Sequence, residues 1–249
     1  MMAPTYRRAI LVFIILLFIS CMPVAAYSDE AANAFSRGTD LVKAEDYTGA
    51  IASFDHAISL EPDFFEAWDN KADVLNRAGE YNDALTASKK ALEINPDYVR
   101  GWINRGQILY NIGYYYEDVL GDPDKADEYY LEQLHAFEQA LRIDPDNTEA
   151  HFNRGYALAG MKRYDEAIAA FDRVRSLDPT YPNLALSEKQ ARVLRDAATP
   201  WYIRYALPLT AIVLIVILTG FFIVIRRRKV PDDDPSVPEN RRARRRKDQ

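Results

Sequence analysis

The sequence predicts an all-α fold: an α-solenoid of four stacked helix hairpins, a capping helix and a C-terminal transmembrane helix. Three observations predict it. Apolar residues recur at helical spacing through most of residues 31–181. Small residues and prolines return along this stretch at intervals of 34 or 49 positions. Further on, residues 206–225 form a run of 20 positions without a charge, followed directly by arginine and lysine.

Residues 1–26 have the pattern of a secretory signal peptide. Arg7 and Arg8 precede the apolar run 9–19, and the small residues 24–26 suit a cleavage site before position 27. The run is shorter than the roughly 20 residues of a spanning helix. Two alternatives stay open: the segment remains as an uncleaved anchor, or Cys21 is lipidated. All three interpretations place the following residues outside the cytoplasm.

Residues 31–181 contain the repeat. Its small residues stand 34, 34 and 49 positions apart, and its prolines 34, 49 and 34 positions apart. These landmarks are Gly38, Ala72, Gly106 and Gly155, and Pro62, Pro96, Pro145 and Pro179. A 34-residue period with this pattern resembles the tetratricopeptide repeat family. The resemblance implies four helix hairpins, at 31–64, 65–98, 99–147 and 148–181, stacked into a superhelix with a concave face.

The repeats depart from one another at a few core positions. Ala72 stands where the other repeats have glycine, and Ser88 stands where they have phenylalanine. Gln133 replaces an alanine, which predicts a less tightly packed third interface.

The third repeat is 15 residues longer than the others. Gly121-Asp122-Pro123 combines a helix stop, an N-cap and a proline suited to the first helical position. The first helix is therefore expected to continue to about Leu120 and the second to begin at Pro123. Each arm gains roughly two turns, at about 3.6 residues per turn. The apolar positions expected to face each other across the two arms are Ile112, Tyr116 and Val119, and Ala126, Tyr130 and Leu134.

Residues 183–199 are expected to form the capping helix that shields the last apolar face of the solenoid. Its expected apolar positions are Leu184, Leu186, Ala191, Val193 and Leu194.

Residues 206–225 are long enough to cross a bilayer as a helix. Aromatic residues precede this run, and the basic cluster 226–229 follows it and indicates the cytoplasmic side. The tail 226–249 is rich in proline and charge and is expected to be basic, disordered and cytoplasmic. The sequence thus predicts a single-pass cell-membrane protein whose repeats are extracytoplasmic.

The charge and motif content exclude several classes of function. Residues 27–200 contain 18 Lys and Arg against 32 Asp and Glu, a net charge of −14, so nucleic acid is not the expected partner. The histidines are dispersed, Cys21 is the single cysteine, and no nucleophile or phosphate-loop motif occurs. We expect no catalytic, cofactor or metal site and no enzymatic activity.

The family resemblance implies that the first helix of each repeat lines a concave groove. The candidate partner-binding positions are Asp69, Asp73, Asn76, Arg100, Asn104, Gln107, Tyr110, Phe152, Asn153 and Tyr156. Asn70, Asn104 and Asn153 recur at equivalent places, where such side chains bond either a bound peptide or the adjacent repeat. The acidic residues argue against a clamp for a peptide carboxylate and favour a basic or neutral extended segment, with Arg100 the nearest basic side chain.

The long third hairpin contains five tyrosines at positions 114–116 and 129–130. Two or three of them are enough to fill the contact between its two helices. Tyrosine is also favoured at protein contacts. Tyr114, Tyr115 and Tyr129 are therefore candidates for contact with a partner or for self-association.

These features predict a membrane-anchored scaffold or adaptor that binds a protein or peptide partner outside the cytoplasm. The alternative is an accessory or assembly subunit of a membrane enzyme or transporter, docked through the transmembrane helix and the long hairpin.

Overall fold

The computed structural model describes residues 27–200, 212–219 and 221–222. The described residues divide into two compact units at the boundary between Arg192 and Val193. The first unit contains the repeats. The second contains the end of the last helix and the helical residues 212–219 and 221–222, whose side chains are exposed.

Residues 27–200 form nine α-helices and one short π-helical segment and contain no strand. The helices are α1 (Asp29–Lys43), α2 (Tyr47–Leu60), α3 (Phe65–Arg77), α4 (Tyr81–Ile94), α5 (Val99–Tyr114), α6 (Pro123–Ile143), α7 (Thr148–Gly160), α8 (Tyr164–Leu177) and α9 (Leu184–Ala198). The π-helical segment is Tyr115–Val119, between α5 and α6.

Consecutive helices pair as four hairpins, α1–α2, α3–α4, α5–α6 and α7–α8, and each second helix packs on the first helix of the next hairpin. This arrangement confirms the expected all-α solenoid. The first helices α1 and α3, and α3 and α5, also contact each other directly. Because elements on the inside of a curved stack approach most closely, the first helices line the inner side. We call their surface the groove face.

A phenylalanine from the second helix packs against a glycine of the first helix in three of the four hairpins. Phe137 is buried, and its ring lies where a Cβ atom of Gly106 would be. Phe54 with Gly38 and Phe171 with Gly155 repeat this arrangement. A Cβ atom on Gly155 would lie 2.7 Å from a ring carbon, well inside van der Waals contact. The glycines are therefore needed for close approach of the two helices.

The second hairpin replaces both members of this pair. Ala72 stands at the glycine position and Ser88 at the phenylalanine position, and both are buried. The smaller Ser88 leaves room for the Cβ atom of Ala72, so the two departures seen in the sequence form one compensating change. The Ser88 hydroxyl has no hydrogen-bond partner. Gln133, in the third hairpin, is also buried.

A side-chain hydrogen bond connects each of three first helices to the end of the preceding repeat. The indole N–H groups of Trp68 and Trp102 donate to the carbonyls of Pro62 and Pro96, at 3.0 and 2.8 Å. His151 occupies the equivalent place in the last repeat, with its Nε2 atom 2.9 Å from the carbonyl of Pro145. Since a carbonyl only accepts, the Nε2 atom of this ring carries the proton. The position explains His151 as a structural substitute for tryptophan.

The third hairpin has two lengthened arms. Gly121 has a positive φ of 68°, which glycine adopts without strain. The Asp122 carboxylate accepts a hydrogen bond from the backbone N–H of Lys125 at 3.0 Å and caps α6, with Pro123 in its first turn. These features agree with the helix start predicted from Gly121-Asp122-Pro123.

The expectation that Val119 faces the second arm is wrong. Val119 is 61% exposed, although Ile112 is buried as expected. The reason is the π-helical segment, whose wider turn rotates the following residues away from the positions they would have in an α-helix.

Three tyrosines fill the contact between the two arms, which we call the seam. Tyr116 and Tyr129 stack with ring centroids 5.3 Å apart and an interplanar angle of 23°. The ring of Tyr130 packs over Gly113, and its hydroxyl donates to the Glu117 carboxylate at 2.7 Å. Burial and this hydrogen bond raise the pKa of Tyr130.

Helix α9 covers the end of the solenoid through one side. Leu184 and Ala191 are buried in the same apolar cluster as Val174. Leu186 was expected to belong to this face but is 66% exposed, because two residues of helix rotate it about 200° from Leu184. Val193 and Leu194, also expected there, lie in the second unit and are exposed.

The same face of α9 holds a nearly buried carboxylate. Glu188 is 6% exposed and pairs with Arg175 of α8. It also accepts hydrogen bonds from Arg192 at 2.6 and 3.0 Å. Both arginines also lie 3.5 Å from Asp172, so Glu188 is the buried carboxylate of a shared ion-pair cluster. Glu188 therefore fixes the contact between α8 and α9.

We expect Glu188→Gln to reduce the free energy of opening of α8 by about 1–3 kcal/mol, because both arginines remain partly exposed. Native-state hydrogen exchange of the α8 amides measures this free energy. Lys189→Gln, at an exposed neighbouring position, is the matched control and should leave exchange unchanged. Equal exchange in the two variants would show that the ion pair does not hold this contact.

Among the residues that the structure describes, no helix is both long and apolar enough to cross a membrane. The signal segment 1–26 lies outside the described residues. So do the tail 226–249 and half of the predicted transmembrane segment 206–225, of which residues 212–219 and 221–222 are described as helical.

Candidate binding surface

The candidate groove residues lie on α3, α5 and α7, three of the helices that form the groove face. Two groups can be distinguished. A polar group connects the second and third hairpins, and an aromatic group connects the third and fourth.

Asp69 is the centre of the polar group and is completely buried. Its Oδ2 atom accepts a hydrogen bond from the Asn104 amide at 2.8 Å and lies 3.8 Å from the Arg100 guanidinium. Its Oδ1 atom has no hydrogen-bond partner. The expectation that Asp69 contacts a partner is therefore corrected: it lies beneath the groove face and positions Asn104 and Arg100.

Burial raises the pKa of Asp69 to about 6, because the charged form is desolvated. The hydrogen bond from Asn104 and the positive charge of Arg100 oppose this shift. The nearby Tyr98 hydroxyl also lowers the pKa of Asp69, whereas the charge of Asp73 raises it. Burial of Tyr98 and the charge of Asp69 raise the pKa of Tyr98 in turn.

Two further polar contacts lie along the same helices. The Asn111 amide of α5 donates to the Asn76 side chain of α3 at 3.0 Å. Asp73 accepts from Arg77, one turn along α3, at 3.0 Å. Asp73 and Asn76 remain partly exposed, so both are available to a bound segment.

The three recurrent asparagines have different environments. Asn104 bonds the adjacent repeat through Asp69. Asn70 donates to the backbone carbonyl of Glu66 at 2.7 Å, and its oxygen lies 3.4 Å from Arg100. The Nδ2 atom of Asn153 is buried without a hydrogen-bond partner. The interpretation as a bond to the adjacent repeat thus applies to Asn104 and also to Asn70, whose oxygen accepts from Arg100 of the next repeat.

The aromatic group consists of Tyr110 on α5 and Tyr156 on α7. Their rings meet edge to face, with centroids 6.4 Å apart. Tyr156 is 54% exposed and Tyr110 36% exposed. Gln107, one turn before Tyr110, is partly exposed. Phe152 contributes less surface, because its ring packs against Phe171 and Tyr181 at 5.7 and 4.9 Å.

The candidate tyrosines of the long hairpin divide between its seam and its outer surface. Tyr129 lies in the seam against Tyr116, so the seam interpretation applies to it. Tyr114 and Tyr115 are exposed. The Tyr114 hydroxyl donates to Asp118 at 3.0 Å, and the Tyr115 ring lies 6.1 Å from that of Tyr81 on α4.

Sequence reasoning missed Tyr98 and Asn111. Tyr98 stands 34 positions after Phe64, so the repeat period marks it as an aromatic position at a repeat junction. The position equivalent to Asn111 in the second repeat is Arg77, not asparagine. The 34-residue period therefore gives no signal for Asn111.

Two family models match the chain. A TPR repeat model matches residues 72–113, and a tetratricopeptide repeat model matches residues 118–182. Together with the stacked hairpins, these matches support the tetratricopeptide repeat family for the repeat region. No curated protein matches the sequence significantly.

Several solved structures share the fold. TTC0263, a thermophilic TPR protein of Thermus thermophilus, is 22% identical with a TM-score of 0.57, over 66% of this chain and 81% of that one. MamA is 18% identical with a TM-score of 0.52, over 72% and 91%. PilW, described as a type IV pilus biogenesis factor, is 21% identical with a TM-score of 0.53, over 68% and 71%. At these identities the likeness establishes the fold. Proteins with this repeat generally mediate protein–protein interactions.

Proposed function

We propose that the protein is a membrane-anchored scaffold that binds an extended, basic or neutral segment of a partner protein outside the cytoplasm. The segment lies on the groove face, across α3, α5 and α7. The observation that carries the proposal is the exposed Tyr110–Tyr156 pair beside the polar group. Each tyrosine offers an apolar ring face and a hydroxyl group, and this combination is suited to protein contacts.

The charge of the groove supports a segment that is not acidic. Asp73 lies on the groove face, Asp69 lies beneath it, and residues 27–200 have a net charge of −14. Arg100 is the basic candidate on this face, and it is already directed toward Asp69 and Asn70. An acidic segment would meet repulsion over the whole repeat region.

The membrane anchor and the extracytoplasmic location are proposed from the sequence. They rest on the signal pattern of residues 1–26, the apolar run 206–225 and the basic cluster 226–229. Tyr27 already packs on Phe64, with ring centroids 3.7 Å apart, so cleavage before Tyr27 would leave the contact intact. A binding role agrees with a repeat fold that typically serves as a non-enzymatic interaction scaffold.

A peptide library displayed on phage and selected against the full-length chain in nonionic detergent tests the proposal. We expect the enriched peptides to be neutral or positively charged. Tyr156→Ala should weaken their binding at least tenfold, because it removes half of the exposed aromatic pair. Fluorescence anisotropy with synthetic copies of the peptides measures the effect.

Two variants serve as controls for this experiment. Leu131→Ala removes an exposed apolar side chain on α6, away from the groove face, and should leave binding unchanged. Tyr156→Phe keeps the ring and should retain most of the affinity. Enrichment of acidic peptides, or equal binding by the wild type and Tyr156→Ala, would contradict the proposed groove.

The accessory-subunit alternative is favoured by the exposed side chains of the long hairpin. Crosslinking in native membranes from a photoreactive residue at position 115 distinguishes the two functions. Capture of an integral membrane protein from this position, with none from position 156, would favour the subunit. The reverse pattern would favour the scaffold.

A further inference from the structure

The outer surface of the long hairpin has an apolar patch at its tip. Tyr115, Val119 and Leu120 are all exposed, and Val119 and Leu120 have 61% and 54% of their surface accessible. We call these three residues the tip patch. They are distinct from the seam tyrosines, and they belong to a different hairpin from Tyr156 of the groove.

The π-helical segment creates the tip patch. The backbone N–H of Leu120 bonds the carbonyl of Tyr115 at 3.1 Å, five positions earlier. With this i to i+5 bond, Tyr115, Val119 and Leu120 lie on one side of the helix. A regular α-helix would have directed Val119 toward the seam. Three apolar side chains that the seam does not use are therefore brought together in solvent.

The turn that carries the tip patch is strongly acidic in sequence. Lys125 is the single lysine or arginine in the range 106–141, whereas six acidic residues surround the turn: Glu117, Asp118, Asp122, Asp124, Asp127 and Glu128. Lys125 pairs with Glu128 and lies 5.6 Å from the centre of the Tyr129 ring. The Lys125 ammonium group is thus already paired within the hairpin. Asp124 and Asp127 remain exposed.

The tip patch is apolar, and the six acidic residues of the turn, which we call the acidic rim, are negatively charged. This combination determines which kind of partner can bind. Anionic lipid headgroups would be repelled by the rim, which disfavours insertion of the tip into a membrane surface. A second copy of the tip has the same charge and would be repelled as well. A segment with apolar side chains flanked by lysine or arginine satisfies both parts of the surface.

We infer that the tip patch is a second docking surface, independent of the groove, for a basic amphipathic segment of a partner protein. The apolar side chains of that segment cover Tyr115, Val119 and Leu120. Its basic side chains face the exposed carboxylates of Asp124 and Asp127. Two surfaces on one chain allow the scaffold to hold two partners at once.

Immobilised 15-residue peptides probed with the fluorescently labelled full-length chain in nonionic detergent test this inference. One peptide series alternates leucine or phenylalanine with lysine, a second has glutamate in place of lysine, and a third has serine in place of the apolar residues. The first series should bind at least tenfold more strongly than the other two. Raising the salt concentration should weaken its binding, because the rim contacts are electrostatic.

Paired variants assign the binding to the tip. Val119→Ser with Leu120→Ser should reduce binding of the first series at least tenfold, whereas Leu131→Ser, an equally exposed position on α6, should not. Asp124→Asn with Asp127→Asn should reduce it at least threefold, whereas Asp83→Asn with Asp97→Asn, the same charge change at other exposed positions, should not.

Several outcomes would overturn the inference. Equal binding of the lysine and glutamate series would remove the charge selectivity. A loss of vesicle binding on neutral phosphatidylcholine caused by the paired serine changes would assign the patch to a membrane. A dimer in sedimentation velocity that the same changes dissociate would assign it to a second copy. Tyr156→Ala should leave binding of the first series unchanged. Failure of the tip-patch inference can therefore be told apart from failure of the groove proposal.

Discussion

Replacing Phe137 with alanine is expected to lower the free energy of unfolding of the third hairpin by about 3–5 kcal/mol. The ring is buried and occupies the space left by the missing Cβ of Gly106. The cavity cannot be filled from the glycine side, because Gly106 has no side chain. Native-state hydrogen exchange of the α5 and α6 amides measures the effect in the full-length chain.

The matched control for this prediction is Ser88→Ala, at the equivalent position of the second hairpin. The Ser88 hydroxyl is buried without a partner, so its removal should stabilise α3 and α4 slightly, by about 1 kcal/mol or less. The two variants thus test whether the phenylalanine–glycine contact carries the stability of a hairpin. A cost for Ser88→Ala as large as that for Phe137→Ala would contradict this account.

Asp69→Asn is expected to stabilise the protein at pH 8 and to have little effect near pH 4. In the unfolded chain the carboxyl has its ordinary pKa of 3.8, and in the folded chain burial raises this pKa to about 6. The folded state therefore holds a proton that the unfolded state releases between these values. The contribution of Asp69 to stability consequently falls as pH rises from 4 to 6 and stays low above pH 6.

The size of the effect follows from the separation of the two pKa values. A difference of about two between the folded and unfolded pKa values corresponds to roughly 3 kcal/mol in the free energy of unfolding. This figure is an upper limit for the stability gained by Asp69→Asn, because asparagine loses the attraction to Arg100. Chemical denaturation of the wild type and the variant at pH 4, 6 and 8 gives the difference. Other carboxyl groups titrate in both proteins and cancel in the comparison.

Asp73→Asn is the control for the Asp69 prediction. Asp73 lies one turn further along α3, is partly exposed and is paired with Arg77 at 3.0 Å. Its replacement should give a much smaller gain at pH 8, because the charge of Asp73 contributes least to the raised pKa of Asp69. A loss of stability in Asp69→Asn at pH 8 would mean that the contacts with Asn104 and Arg100 outweigh the cost of burial.

Repetition explains how much of the fold was predictable. The spacing of Gly38, Gly106 and Gly155 predicted where the hairpins lie along the chain, because the same geometry recurs in each unit. The helix start at Pro123 was also predictable, because it depends only on the local turn sequence Gly121-Asp122-Pro123. The orientation of Val119 did not, since a π-helical turn depends on packing between the two arms and has no marker in the residue pattern.

The candidate site was predictable in position but not in exposure. Periodicity placed Asp69, Asn104 and Tyr156 on the first helices, where the structure has them. It did not indicate that Asp69 is covered, because that depends on Tyr98, at the end of the same repeat, and on Arg100 of the next repeat. His151 shows the reverse: its role becomes clear only when it is aligned with Trp68 and Trp102.

The central claim is that the groove face binds an extended segment, and hydrogen exchange with and without a selected peptide tests it most directly. We predict slower exchange on the first helices α3, α5 and α7, with the largest change around Tyr110 and Tyr156, in the full-length chain. Slower exchange confined to the second helices α2, α4 and α6, or to the tip patch, would contradict it.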